Sequence, residues 1–507
     1  MDNLFSLIRD RMPSLDRAFM TLASGKVYTY RDLLAESGRL ANTLVTLGVK
    51  PGDRVAVQID KSPEAVFLYV ACLRAGAAFL PLNTAYTLTE LDYFVGDAEP
   101  AVIVCRPQIH AEVAALGARH KVLVCETLGG DGKGTLIDKA AGAGSAFDDV
   151  VREPDDLAAI LYTSGTTGRS KGAMLTHRNL SSNALTLVET WRFTAHDVLL
   201  HALPIFHTHG LFVAINCVLM SGASMLFLPR FDGDEVMALL AKANVMMGVP
   251  TFYVRLLQHA GLTPEATRHM RLFVSGSAPL LAETHDAWRQ RTGHAILERY
   301  GMTETGMITS NPYDGDRIAG TVGFPLADID VRVADDKSAT VLGQGEVGVL
   351  EVKGPNVFSG YWRMPEKTKT EFRDDGFFIT GDVGKIDARG YIHIVGRAKD
   401  LVISGGYNVY PKEVESEIDG LEGILESAVI GIPHPDFGEG VTAVCVRKPG
   451  ATISGDDIIQ VLGKTLAKYK LPKHIEFVDE LPRNAMGKVL KGELRTRLAA
   501  IYSGSPG

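Results

Sequence analysis

Residues 158 to 172 read "AAILYTSGTTGRSKG", and the two halves of this stretch ask for different surroundings. Ala158 to Leu161 is an apolar run of the kind found in strands buried on both faces of a sheet. The residues after it change character abruptly. Glycines at 165, 168 and 172 let backbone N–H groups approach an anion, Thr163, Ser164, Thr166 and Thr167 add hydroxyl donors, and Lys171 adds a positive charge. A buried strand that delivers such a loop predicts an anion cradle in an α/β fold. It is not a Walker A loop, because no Gly-Lys-Ser/Thr triplet is present and Lys171 follows Ser170. Nor does the first strand–helix turn carry a G-x-G-x-x-G fingerprint.

Outward from this loop, apolar β-branched runs alternate with helix-like segments. "RVAVQID", "AFLPLN", "AVIVC", "KVLVC", "SMLFLP" and "VMMGVP" are separated by stretches such as "SPEAVFLYVACLRAG". The alternation predicts stacked, mostly parallel sheets covered by helices. From about residue 326 the pattern shortens to "DIDVRVAD", "GVLEVKG", "FFITGDVGKID" and "YIHIVG", which predicts a β-rich subdomain. After residue 399 a helix from Pro411, the strands "LESAVIGIPH" and "GVTAVCVRK", a helix over 455 to 468 and "HIEFVDELP" predict a small α+β domain. The expected organisation is a large domain over 1–398 and a small mobile one over 399–507.

Bulk properties narrow the function. A chain of 507 residues exceeds what one core organises, and its 46% hydrophobic and 22% charged content is that of a globular protein. A net charge of -8 gives no general attraction to nucleic acid or to an anionic membrane. Five widely spaced cysteines, most of them in apolar runs, read as buried thiols in a reducing compartment. With an acid at position 2, no secretory signal and no long apolar span, the expected location is cytoplasmic, without stable membrane association.

The hairpin "GDVGKIDARGYIHIVGR" turns at Ala388–Gly390 and so sets Asp382 roughly opposite Arg397. Such a pair is either an ordinary cross-strand ion pair or a carboxylate and guanidinium converging on the hydroxyls of a ribose.

Taken together, these motifs carry a resemblance. "YTSGTTGRSKG" resembles the signature loop of the adenylate-forming enzymes, which include acyl-CoA synthetases, luciferases and peptide-synthetase adenylation domains. "RYGMTETG" (299–306), "FITGDVG" (378–384), "GRAKDLVISGGYNVYPKEVE" (396–415) and "PRNAMGK" (482–488) are similar to the later motifs of that superfamily, in the same order. The resemblance implies a ligase in which a carboxylate attacks the α-phosphorus of ATP, pyrophosphate leaves, and the thiol of coenzyme A displaces AMP.

It also implies roles. The 163–171 loop would bind the β- and γ-phosphates, Thr303 the α-phosphate, and Glu304 a Mg²⁺ ion, which prefers hard oxygen ligands. Tyr300 and the "SGSAP" turn with Ser277 would flank adenine, and Asp382 and Arg397 would hold the ribose. Lys488 would serve adenylation as a mobile cation, delivered by rotation about Lys399. Gly405 and Gly406 would then line the passage for CoA. Arg483 stands where the family more often has lysine, which preserves the charge. Lys488 in its glycine-flanked loop is also an expected target of a lysine acyltransferase and deacylase.

For the acid, "LPIFHTHGLFVAIN" (203–216) and the 240–310 region are similar to malonyl-CoA synthetases, implying malonate, with methylmalonate as a slower substrate. His207 would gate the thiol channel. Arg255 is expected to be a buried guanidinium that meets the second carboxylate, with Ser277 and His209 as hydrogen-bonding help. Another short-chain or aromatic acid is the alternative.

Overall fold

The apolar runs become the inner strands of two sheets. In the computed structural model, which describes residues 3–163, 170–405, 407–484 and 487–502, a seven-stranded sheet is built around Arg54–Gln58. Ala78–Pro81 and Leu157–Thr163 lie on one side of that strand, and Val102–Cys105 and Val124–Thr127 on the other, all parallel. A nine-stranded sheet has a parallel centre running through Ala18–Leu22, Ser224–Phe227, Val198–His201, Val245–Gly248, Leu272–Ser275 and Leu297–Met302. Antiparallel strands finish its two edges.

One core joins the sheets: Val55, Val57 and Phe79 of the first belong to the same apolar cluster as Leu199, Met225 and Val245 of the second. The helix Pro63–Arg74 shows why they stack. Ser62 caps it, Pro63 opens it, and every residue from Ala65 to Arg74 is buried. A helix that is apolar all round has no solvent face and belongs in an inner layer.

The β-rich subdomain is a four-stranded antiparallel sheet of Asp330–Ala334, Gly348–Lys353, Phe378–Ile386 and Ile392–Arg397. The remaining sheet takes all five strands from residues after 401, and two apolar clusters are built wholly from that part of the chain. One of them holds Val414 and Ile418 of the helix Pro411–Asp419. The helix expected over 455–468 is shorter than its periodicity predicts. It ends at Leu462, at Gly463, and a separate 3₁₀ turn covers Lys468–Lys470.

A test of the subdomain lies at Glu351, which is 0% exposed and paired with Arg332 at 2.7 Å and Arg373 at 2.6 Å. Removing a buried partner strands the other charges, so Glu351→Ala should cost roughly 3 kcal/mol. Thermal unfolding followed by circular dichroism should show a clearly lower midpoint.

Candidate active site

The strands on either side of the expected anion loop form a hairpin, Leu157–Thr163 and Lys171–Thr176, with Thr163 directly across from Lys171. Ser164, Gly165, Thr166, Thr167 and Gly168 lie outside the described residues. What holds the stems is clear. Tyr93 donates its hydroxyl to the Ser170 carbonyl at 2.7 Å, and Tyr162 donates to Asp97 at 2.5 Å. Both partners sit on the helix Leu88–Ala98, which therefore grips the loop from one side.

Lys171 points its ammonium at the ring of Tyr361, 4.2 Å from the centroid, and lies 3.8 Å from Glu371. Tyr361 in turn donates to Glu304 at 3.0 Å. Burial raises the Glu304 carboxyl above the usual range, and among the described residues no cation lies within ion-pair reach of it. A buried oxygen ligand without its own counter-ion fits a hard divalent cation. Thr303 is half-buried beside it.

The hairpin brings Asp382 directly opposite Arg397, and it does so through a feature the sequence does not display. On the turn side the register would pair Asp382 with Gly396. A bulge at Val395 shifts the strand by one residue. The guanidinium Nε lies 2.5 Å from Asp382, which is only 3% exposed, so this is not an ordinary surface pair. Tyr300 donates its hydroxyl to the second oxygen of Asp382. One ring and two opposite charges thus meet in a single corner.

Lys488 faces the same corner from the small domain. Burial pulls its ammonium down to about 8, with Arg397 and Lys399 adding to the shift and Asp382 and Asp400 opposing it. The side chain keeps contact with solvent, as a residue lining an open cleft does. Its loop is braced by Arg483, which donates to the Gly487 carbonyl at 2.5 Å and pairs with Glu426. Gly487 packs closely against Thr251 of the large domain, and Lys448 pairs with Glu283 at 2.8 Å across the same interface. Lys399 is exposed in the 3₁₀ turn Ala398–Asp400. Gly405, at φ +58°, makes the turn before Tyr407, and Gly406 lies outside the described residues.

Beyond the hairpin corner lies a set of buried basic groups. His207 is kept neutral by burial, its pKa pushed down to about 4. His209 is depressed further by burial and by Arg299, and its Nδ1 sits 3.1 Å from the Ser277 hydroxyl. Ser277 adopts φ +72°, a left-handed conformation costly for a residue with a side chain.

Arg255 does not meet the expectation of a buried guanidinium. It is exposed on the helix Pro250–Leu257, four residues after Thr251 and so on the helix face turned toward the Lys488 loop. The residue that is buried is Arg299, at 3% exposure, with Nε and Nη2 lacking a hydrogen-bond partner among the described residues. It lies under Gly276, where a Cβ would come within 2.4 Å of its guanidinium carbon. Burial pulls it down to about 9, still cationic at neutral pH. The signal was available in "LERYGM": along a strand, Arg299 and Tyr300 must face opposite sides, so a residue next to the hairpin corner enters the interior.

A strand hairpin that brackets the glycine- and hydroxyl-rich stretch, a carboxylate–guanidinium–aromatic corner and a lysine from the C-terminal part of the chain together fit a nucleotide-activating class of protein. The chain belongs to the AMP-binding enzyme family, whose model matches residues 10–362, with the C-terminal domain model of that family matching 413–488. It is similar to the crystal structure of ATP-bound MatB from Rhodopseudomonas palustris, at 61% identity over 99% of both chains and a TM-score of 0.97. The apo form of that protein gives 0.86. Among curated relatives, a feruloyl-CoA synthase from Amycolatopsis sp is 38% identical over 93% of this chain and 94% of its own length. The mitochondrial malonate–CoA ligase ACSF3 of Mus musculus is 35% identical over 93% and 87%. The chain is an AMP-forming acid–CoA ligase of this family.

The Lys488 geometry makes a pH prediction. Its ammonium is charged below a pKa of about 8 and is lost as pH rises through that value. We expect kcat/KM for ATP, measured by pyrophosphate–ATP exchange, to fall above pH about 8. Lys488→Arg should retain a reduced rate without that fall.

Proposed function

We propose that this ligase joins malonate to coenzyme A through a malonyl-AMP intermediate, with methylmalonate as a slower substrate. The curated relatives do not decide the acid, since a ferulate enzyme and a malonate enzyme match about equally well. The observation that carries the reading is Arg299. A guanidinium buried without a counter-ion is costly unless an anion joins it. An aromatic acid brings one carboxylate, which the chemistry consumes; a diacid brings a second. With His209 and Ser277 beside it, Arg299 offers that second carboxylate charge and directed hydrogen bonds.

The rest of the site then acts in sequence. The hairpin loop from Thr163 to Lys171 holds the β- and γ-phosphates, Thr303 the α-phosphate, Tyr300 and the Ser277 turn flank adenine, and Asp382 and Arg397 take the ribose hydroxyls. Glu304 would hold Mg²⁺, which when bound offsets phosphate charge during in-line attack. Lys488 neutralises the approach of carboxylate to α-phosphate, an encounter between two anions that otherwise repel. Its withdrawal by rotation near Lys399 admits the thiol beside Gly405 and Gly406, with His207, neutral, free to move at the channel mouth. Arg255, at the rim near the Lys488 loop, contributes long-range attraction for a dianion.

The direct experiment is a panel of malonate, methylmalonate, butyrate and ferulate with ATP, Mg²⁺ and CoA, scored for pyrophosphate and thioester. Malonate should lead, and a preference for ferulate would overturn the reading in favour of an aromatic acid. Arg299→Met should lower kcat/KM for malonate by about 100-fold or more, the loss expected when a buried charge partner is removed. Because it removes an unpaired buried charge, the same variant should raise the thermal midpoint of the ligand-free enzyme. Arg255→Ala should reduce malonate turnover less than Arg299→Met, with ATP binding unaffected.

A further inference from the structure

A second cation, on a half-buried residue, has its ammonium turned toward the interior at His201. Lys61, just before the cap of the helix Pro63–Arg74, places its ammonium 2.8 Å from His201 Nδ1 and 3.0 Å from the His201 carbonyl oxygen. Its remaining face looks at the ring of Phe227, 4.3 Å from the centroid. Among the described residues no carboxylate lies within ion-pair distance of it, and burial holds its pKa well below the ordinary value. An isolated buried ammonium is costly, so its retention calls for an explanation.

The other side of His201 supplies one. Nε2 lies 2.8 Å from the carbonyl oxygen of Gly210. A carbonyl can only accept, so Nε2 carries the proton, and Nδ1 must then be the lone pair that accepts from Lys61. Lys61 thereby selects one tautomer of a neutral imidazole. Gly210 in turn is fixed in position: a Cβ there would stand 2.0 Å from the Pro204 carbonyl oxygen, so the backbone at 210 rests directly on the chain at 204. Between those two points runs Ile205 to His209, which carries His207 and the His209–Ser277 contact.

We propose that Lys61 is a positioning residue for the acid substrate: it locks His201 as the Nε2–H tautomer, which holds the Gly210 carbonyl and so sets the His207–His209 turn against Ser277. The proposal deepens the malonate reading and rests on it for the identity of the acid. Without the lysine, only the Gly210 carbonyl still favours Nε2–H, and Nδ1 loses the donor that stabilised its lone pair, which narrows the gap to Nδ1–H. In the second tautomer Gly210 loses its donor and the turn loosens around the substrate.

Two variants separate the hydrogen bond from bulk packing. Lys61→Gln keeps an N–H donor for Nδ1, whereas Lys61→Met fills similar space with none. We expect Lys61→Met to lose about tenfold in kcat/KM for malonate, as for one buried polar group left unpaired, with KM for ATP within about twofold of the parent. Lys61→Gln should recover most of the loss. Nitrogen-15 spectra of the imidazoles should show His201 as Nε2–H in the parent and in Lys61→Gln, and as a mixture in Lys61→Met. Malonate kinetics unchanged in Lys61→Met would overturn the proposal, as would equal damage to acid and ATP parameters in both variants. If Lys61→Met fails to fold, the parent spectrum still decides, since an Nδ1–H tautomer there excludes the mechanism. Failure of the malonate reading shows separately, as parent enzyme that turns over another acid; the tautomer and the variants are then measured with that acid.

Discussion

The site is organised around a charge taken out of water without a partner. Arg299 is buried under Gly276 with two of its nitrogens unsatisfied, and among the described residues no carboxylate forms an ion pair with it. Its surroundings supply neutral groups instead: His207 and His209 held uncharged by burial, and the Tyr253 phenol, whose ionisation is suppressed in the same way. Lys61 adds a second cation nearby in the chain of contacts through His201. A protein interior arranged like this is less stable than one with the charges paired or removed. The cost falls where a doubly charged small acid would offset it, which is the usual relation between local strain and function.

The second organising fact is the approach of the two domains. Lys488 shares the electrostatic environment of Asp382 and Arg397 although about a hundred residues separate it from them in sequence. The overall arrangement matches the ATP-bound crystal form of the 61% identical MatB better than its apo form, with TM-scores of 0.97 and 0.86. Contacts between the two parts include the ion pair of Lys448 with Glu283 and the packing of Gly487 on Thr251. An exposed ion pair contributes about 1 kcal/mol or less, which would suit the rotation near Lys399 proposed above.

Much of this was legible in the sequence because local chemistry dictates it. The apolar runs are the inner strands of the two large sheets, and the turn at Ala388–Gly390 puts Asp382 and Arg397 in reach of each other. Other features were less legible, each for a physical reason. The bulge at Val395 sets the final register through sheet curvature rather than through any residue type. The end of the helix at Leu462 is decided by Gly463 and tertiary packing rather than by periodicity. Arg255 and Arg299 are both arginines near apolar residues; strand alternation beside Tyr300 hints that Arg299 turns inward, and the packing of the strand Leu297–Met302 against the Gly276 turn shows that it, not Arg255, is buried. Lys61 and His201 gave no motif at all, since their contact spans 140 positions.

The central claim is that a second carboxylate completes the interior around Arg299. A crystal structure of the enzyme with malonyl-AMP trapped in the site tests it most directly. The distal carboxylate should lie within hydrogen-bonding distance of Arg299 Nε and Nη2, with Ser277 or His209 as a further donor. A distal carboxylate bound at Arg255 or left in solvent, with the Arg299 nitrogens still unpaired, would contradict it.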